Sequence, residues 1–295
     1  MHLPPAPWPP RDELRLKRVL GYINWKRSRE RITDFKTLAL LVDDMHSQRP
    51  DHVAVTGDIV NLALKSEFAA ARAWLNSLGA PRDVSFVPGN HDAYVREALK
   101  ILNSAFVPWT SDAQADEKAA QYPFLRVRGE VAVIGVSSGV PTGLFMATGR
   151  IGAAQIGRLR AILADCRTRG LIRVVLVHHA PVPWQSPMRR LVDAGEMSQA
   201  LAQEGAELVL HGHHHKRMVN FIASPNTQTE GGKIPVVGAP AGSILLKDEK
   251  HRAAYHLVHL ARRGDKVAVN VRARGPAGVE GEIAELAPVL KGAPR

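Results

Sequence analysis

The chain has 295 residues, 45% of them hydrophobic, which is enough to build a substantial core in one large domain or two small ones. Its formal charge is +11 and its pI near 10.1, a bias toward anionic partners such as phosphate esters, nucleic acid or acidic headgroups that says nothing about fold. The lone Cys166 excludes an internal disulfide, no run approaches the roughly 18 apolar residues of a membrane helix, and the opening MHLPPAPWPP has no leader-like basic or apolar region, so a cytoplasmic location is expected.

After that proline-rich opening comes a basic, helix-compatible segment, Arg11 to Arg31, with Leu14, Val19, Leu20, Tyr22, Ile23 and Trp25 interleaved among the charges. It reads as a helix docked through its apolar stripe, or as a basic flap that guides an anionic substrate or touches a membrane surface. Thr33 to Gln48 has apolar residues at helical spacing, capped by Thr33 or Asp34. Val53–Val55 is a short buried strand running into Gly57-Asp58. A helix capped by Ser66 follows and closes at Gly79, and Val84–Val87 is the next strand, running into Gly89-Asn90-His91-Asp92.

Val95 to Phe106 is helical, and Ser111 to Gln121 is a polar loop. Phe124–Arg128 and Val131–Val136 form a hairpin turning at Gly129-Glu130. Ala153 to Arg169 is a basic helix in which Cys166 is a buried thiol. The strand Val174–Val177 leads into His178-His179-Ala180-Pro181, a Pro- and Arg-rich loop leads to a short helix Met197–Gln203, and the strand Leu208–Leu210 leads into His211-Gly212-His213-His214-His215. Val219–Ile222, Val236-Val237, Tyr255–Leu260 and Val267–Val271 are further strands. A single domain over residues 1–275 and a loose tail over 276–295 are expected.

Four apolar runs thus end in polar residues able to bind metal: Asp58, then Asn90-His91-Asp92, then His178-His179, then His213 and His215. In α/β sheets ligands gather at the carboxyl ends of strands, so aligned ends would bring these groups to one pocket. Carboxylate, amide and imidazole without thiolate suit Mn, Fe or Zn better than a structural zinc site. More candidates than one four-coordinate ion needs point to two ions, with Asp58 the natural bridge between them.

The motifs Gly57-Asp58-Ile59-Val60-Asn61, Gly89-Asn90-His91-Asp92, the His178 region and Gly212-His213-His214-His215 resemble, in order and spacing, those of the calcineurin-like metallophosphoesterases. The resemblance covers roughly Val53 to His215 plus the strand-rich end. It implies an α/β fold, a four-layer α/β/β/α sandwich of two mixed sheets flanked by helices. It also implies two divalent ions, Mn, Fe or Zn. By the same resemblance Asp58 bridges the ions, Asn90, His178 and His213 hold the second, and His2 and His215 belong to the first. His91 would be the general acid, with Asp92 tuning it. The ligand at the His178-His179 pair is open, with His178 favoured. Asn61 stands where a second Asp is commoner in the motif.

The family's first motif is a strand ending in Asp-x-His, and no Asp lies upstream of His2 here. The expectation is that a strand and its Asp precede Met1, leaving His2 as the remaining ligand of that motif. The function implied is phosphodiester hydrolysis of a small anionic substrate by a metal-bound hydroxide, after the cyclic-nucleotide phosphodiesterase branch. The alternatives are a lipid-linked pyrophosphate hydrolase, whose usual GNRD differs from the GNHD here, a nuclease, or a metal-poor scaffold binding anions or a partner through its basic face. Nucleic acid is admitted by the charge but not indicated by any aromatic-and-basic surface, and peripheral membrane contact is admitted by the 11–31 segment. The pocket walls are expected from Arg11–Arg31, Ser111–Gln121 and Val182–Val192.

Overall fold

A computed structural model describes residues 2–3, 7–110, 122–182, 186–278 and 281–291. In chain order its elements are α1 (Leu16–Asn24), α2 (Phe35–Ser47), β1 (Val53–Val55), α3 (Lys65–Ser77), β2 (Val84–Phe86), α4 (Leu99–Ala105), α5 (Val107–Thr110), β3 (Phe124–Arg128) and β4 (Val131–Gly135). They continue with α6 (Ala153–Thr168), β5 (Ile172–Val177), α7 (Ala194–Glu204), β6 (Leu208–His211), β7 (Met218–Ala223), β8 (Lys233–Gly238), β9 (Tyr255–Arg263), β10 (Lys266–Pro276) and β11 (Ile283–Glu285).

The central layer is a six-stranded mixed sheet in the order β3-β4-β5-β6-β8-β7, with β4, β5, β6 and β8 parallel and the two edge strands antiparallel. β5 is buried along its whole length, as a parallel strand covered on both faces must be. Its side chains divide by the period of two: Val175 and Val177 pack under α6 and α7 with Leu159, Leu163 and Met197, while Val174 and Leu176 meet Val267, Val269 and Val271 of β10. One buried ion pair spans this layer. Arg173 gives Nη2–H to Glu207 Oε1 at 2.7 Å and Nε–H to Oε2 at 3.0 Å, with both side chains fully buried.

On the face opposite α6 and α7 lie two smaller sheets, the parallel pair β1-β2 and the antiparallel β11-β10-β9. α2, α3 and α4 cover β1 and β2 through Leu38, Phe68, Leu75 and Leu102. Asp34 caps α2 by accepting the Lys36 and Thr37 amides at 3.1 Å each. Asp44 of α2 then fastens the C-terminal hairpin, taking Arg274 Nη2 at 2.7 Å, Nε at 2.8 Å and the Tyr255 hydroxyl at 2.7 Å. The layering agrees with the expected sandwich, but the second layer is in two pieces. A cavity of about 970 Å³ separates them, lined by Val53–Thr56 of one sheet edge and Tyr255–Leu260 of the other.

Two local expectations change. Ser66 does not cap α3: Glu67 reaches back to the amides of Leu64 at 3.0 Å, Leu62 at 3.0 Å and Asn61 at 2.8 Å, because a longer carboxylate spans the tight loop after Asp58. Within the expected tail, Ile283–Glu285 pairs with β10 and the Leu290 amide bonds Val271 at 3.1 Å, so these described residues are tied to the sheet. The basic segment is ordered and docked, with Arg18 buried among carbonyls of Leu62, Ala63 and Glu13. The Ser111–Gln121 loop lies outside the described residues. No described helix is long and apolar enough to cross a membrane.

Candidate metal centre

β1, β2, β5 and β6 all end at one edge of the fold, and the loops that follow them carry Asp58, Asn90, His178, His213 and His215 to one place. The turns are tight. Gly57 has φ +91°, and a Cβ there would sit 2.6 Å from the Gly89 amide, so no other residue fits. Asp58, His213 and His215 themselves hold left-handed φ values of 56°, 66° and 49°, which non-glycine residues adopt at a cost. Strain therefore concentrates on the candidate ligands.

Two groups of potential ligand atoms form, each with all its atoms within 4.8 Å of one another: His2, Asp58 and His215 in one, and His178, His179 and His213 in the other. Asp58 lies between them, its Oδ2 3.3 Å from His178 Nε2. His2 is buried although it stands at the start of the chain. Its Nδ1 meets the Val60 carbonyl at 3.2 Å, its own carbonyl accepts from Ser243 Oγ at 3.1 Å, and Leu3 N–H bonds Ile59 O at 3.0 Å. Asn61 contributes here structurally, donating from Nδ2 to the Leu3 carbonyl at 3.1 Å.

Each imidazole is oriented by a carbonyl. His178 Nδ1 donates to Thr56 O at 2.6 Å, which leaves Nε2 buried with no hydrogen-bond partner. His213 Nε2 donates to Arg189 O at 2.9 Å, which turns Nδ1 inward. His179 differs: Nδ1 meets Ser138 Oγ at 2.8 Å and Nε2 meets Ala147 O at 3.2 Å, so both nitrogens are already engaged. Asn90 Oδ1 is likewise buried and unpaired. Buried polar atoms without partners are costly, and an amide oxygen and an imidazole nitrogen left bare beside a carboxylate fit a divalent cation.

The electrostatics agree. Burial holds His2, His213 and His215 well below the ordinary imidazole range, hence neutral, which is the state in which a ring nitrogen offers its lone pair. Burial also penalises charge on Asp58, but His178, His91 and His2 outweigh it and keep the carboxyl ionised.

His91 and Asp92 take separate partners. Asp92 does not touch the His91 ring. Its carboxylate accepts the amides of Asp58 at 2.7 Å, Ile59 at 3.0 Å, Val60 at 3.2 Å and Gly89 at 2.7 Å, tying the two metal-facing loops together. The partner of His91 is instead the Asn61 carbonyl, 2.7 Å from Nδ1, and the His91 amide gives its hydrogen to Asp58 Oδ1 at 2.8 Å. His91 Nε2 faces Arg29 Nη1 at 3.2 Å, and its pKa is pushed down to about 4 by burial and then by that guanidinium. Arg29 is the residue that sequence reasoning missed, since nothing in the Arg11–Arg31 run separates it from its basic neighbours.

Layered sheets with paired ligand groups at the strand ends define a dinuclear-type α/β hydrolase frame. The sequence pattern of the calcineurin-like phosphoesterases matches residues 31–217, and the chain belongs to that family of metal-dependent phosphoesterases. A dimetal phosphatase from Danio rerio shares the fold at a TM-score of 0.60 and 13% identity, over 86% of this chain and 89% of that one. Purple acid phosphatase PPD1 from yellow lupin (Lupinus luteus) does so at 0.55 and 12%, over 86% of this chain and 49% of that one. No curated protein matches the sequence.

Proposed function

We propose that this chain is a phosphodiesterase whose centre holds two divalent ions, Mn, Fe or Zn. The observation that carries the reading is the pair of buried acceptors without hydrogen-bond partners, His178 Nε2, 3.3 Å from Asp58 Oδ2, and Asn90 Oδ1 on the loop whose next amide, that of His91, bonds Asp58 Oδ1. In this reading His2, Asp58 and His215 hold one ion, and Asp58, Asn90, His178 and His213 the other. His178 is preferred over His179 because its Nε2 is free while both nitrogens of His179 are bonded. Ions bound there supply an acidified water and positive charge against the phosphoryl oxygens.

The remaining steps fall to the chain. Asp58 stays ionised beside the neutral imidazoles of His2, His213 and His215, whereas its carboxylate outweighs burial and raises the pKa of His178, so an ion bound there would displace a proton from that ring. His91 gives Nδ1–H to Asn61, so Nε2 is the atom that carries a proton to the leaving oxygen. Asp92 acts on this chemistry only by holding the Asp58 and Asn90 loops in register.

A second reading, a phosphoester with an apolar group such as a lipid-linked pyrophosphate, draws on the loops beside the centre. Leu144, Phe145, Met146 and Met188 are exposed there, Phe145 to 85%, and the same loops supply the Ala147 and Arg189 carbonyls that orient His179 and His213. The test is turnover of the manganese-loaded protein on bis(4-nitrophenyl) phosphate, 4-nitrophenyl phosphate and a lipid-linked pyrophosphate. Preference for the diester supports the first reading and preference for the lipid-linked substrate the second. No turnover on any of them rejects both.

A further inference from the structure

We propose that Arg29 grips the non-bridging phosphoryl oxygens of the substrate; this rests on the phosphoesterase reading and adds the residue that selects the anion. Arg29 ends a π-helical turn, Trp25–Arg29, a local geometry that recurs at functional sites. The turn is anchored at both ends. Trp25 packs with Leu62, Leu64, Tyr22 and Tyr94, and the Arg29 carbonyl accepts the Ile32 amide at 3.0 Å, the Thr33 amide at 3.0 Å and Thr33 Oγ1 at 2.8 Å.

From this base the side chain reaches the centre, where Nη1 lies 2.9 Å from His2 Nε2 and 3.2 Å from His91 Nε2. Among the described residues no carboxylate pairs with it, and its Nε and Nη2 make no hydrogen bond. The other inward-facing arginines are all answered. Arg18 has Glu13 and three carbonyls, Arg173 has Glu207, Arg274 has Asp44, and Arg126 gives its hydrogens to the carbonyls of Pro81, Arg82, Val84 and Pro108. Among the described residues these guanidiniums are met by a carboxylate or by backbone carbonyls, whereas Arg29, where the proposed general acid and the His2 ion group meet, is met only by imidazole nitrogens.

An imidazole lone pair is a poor match for a full positive charge, whereas a phosphoryl group offers two oxygens to the planar fork of a guanidinium. The free Nε and Nη2 edge is the part of Arg29 able to make that paired contact. The Asp58 carboxylate acts on Arg29 through space without pairing with it, and a phosphoester anion arriving next to His91 supplies the directly paired oxygens.

The experiment compares Arg29→Met, Arg29→Gln and Arg29→Lys with the exposed control Arg31→Met. The readouts are KM for bis(4-nitrophenyl) phosphate, calorimetric binding of inorganic phosphate to the manganese-loaded protein, and manganese content. Arg29→Met and Arg29→Gln are expected to weaken phosphate binding and raise KM by about tenfold or more at unchanged manganese content, with Arg29→Lys intermediate because it keeps the charge and loses the fork. Arg31→Met stays within about twofold of wild type.

Phosphate affinity within about twofold of wild type in the Met or Gln variant overturns the grip. A manganese content that rises or falls in these variants also overturns it, making Arg29 a counter-cation or a support of His2. If Arg29→Met fails to fold, Arg29→Gln decides by the same criteria. Calorimetry needs no turnover, so an inactive wild type rejects the phosphoesterase reading while the phosphate measurement still judges Arg29.

Discussion

The two candidate ion groups meet at Asp58 and differ in almost everything else. The His178 group is assembled from loops that leave the adjacent strands β5 and β6, with Asn90 on the loop after β2 of the smaller sheet, and His178 Nε2 and Asn90 Oδ1 are buried without a hydrogen-bond partner. The His2 group joins the first described residue of the chain to Asp58 and to His215, and His2 Nε2 already accepts from Arg29. One group is a set of lone pairs waiting for a cation; the other has a cation of the protein's own at its edge. An ion at the first group would displace at most a proton shared by His178 and Asp58, whereas at the second it would displace a guanidinium, so the difference predicts unequal ion affinity within one centre.

The most severe way to break the comparison is Asp58→Ala, which removes the carboxylate facing both groups. Turnover is expected to fall on the order of 10³-fold or more, with manganese lost from both sites in elemental analysis. Retention of a tenth of the activity would mean that the groups act independently. Next in size is the contrast between His178→Ala and His179→Ala. The first removes a free acceptor and should abolish tight binding at its group. The second disturbs only an orienting neighbour and should cost about 10–100-fold in ion affinity, measured by competition with a chromophoric chelator.

Titration of the ion-free protein with Mn²⁺ sharpens the inequality directly. Two binding steps are expected, and Asn90→Ala should remove the tighter one while leaving the weaker in place. A single step of equal sites in wild type would contradict the reading.

The smallest effect calibrates the background outside both groups. His52 bonds Ser85 Oγ at 2.8 Å, and its pKa is pushed down to about 4 by burial, then by Arg126 and Arg128. Because the folded value lies below that of the unfolded chain, near 6.5, the unfolded state takes up the proton first. Stability is therefore lost as pH falls from about 6.5 to about 4, by up to about 1.4 kcal/mol per pH unit, and no further below that. Urea unfolding of ion-free His52→Gln should show a correspondingly shallower acid slope. The slope that remains includes the other imidazoles that burial holds low, among them His91, His211 and His256 outside the two groups, and added Mn²⁺ should steepen it by binding only the folded protein.

Much of the fold was legible because its signals are local. Apolar runs of three to six residues, each closed by Gly or a polar cluster, mark β1, β2, β5 and β6, and the helical spacing of Phe35, Leu38, Leu41 and Val42 marks α2. The loop after β1 was harder to read. Glu67 caps it from inside α3 in place of Ser66, a substitution of one polar residue for another that depends on the path of Asn61 to Leu64. The pairing of β11 with β10 was also hidden, since Ile283–Glu285 is too short to announce itself without a partner strand.

At the centre, residue type and order single out Asp58, Asn90, His178, His213 and His215 as candidate ligands, because these residues sit next to the strands that carry them and the chemistry of their side chains is local. What those residues do to one another was decided only by packing. The resemblance gives Asp92 the role of tuning His91, and the packing shows what its carboxylate bonds: the converging amides of Asp58, Ile59, Val60 and Gly89. The choice between His178 and His179 likewise turns on Ser138 and Ala147, residues some 40 and 30 positions away that engage both nitrogens of one ring and neither of the other. Arg29 stands in a run of similar cations, and only the docking of its π-turn against Leu62 and Tyr94 brings one of them, unpaired, to His2 and His91. Strand ends and ligand types follow from neighbours along the chain, whereas the satisfaction of a buried charge depends on neighbours in space.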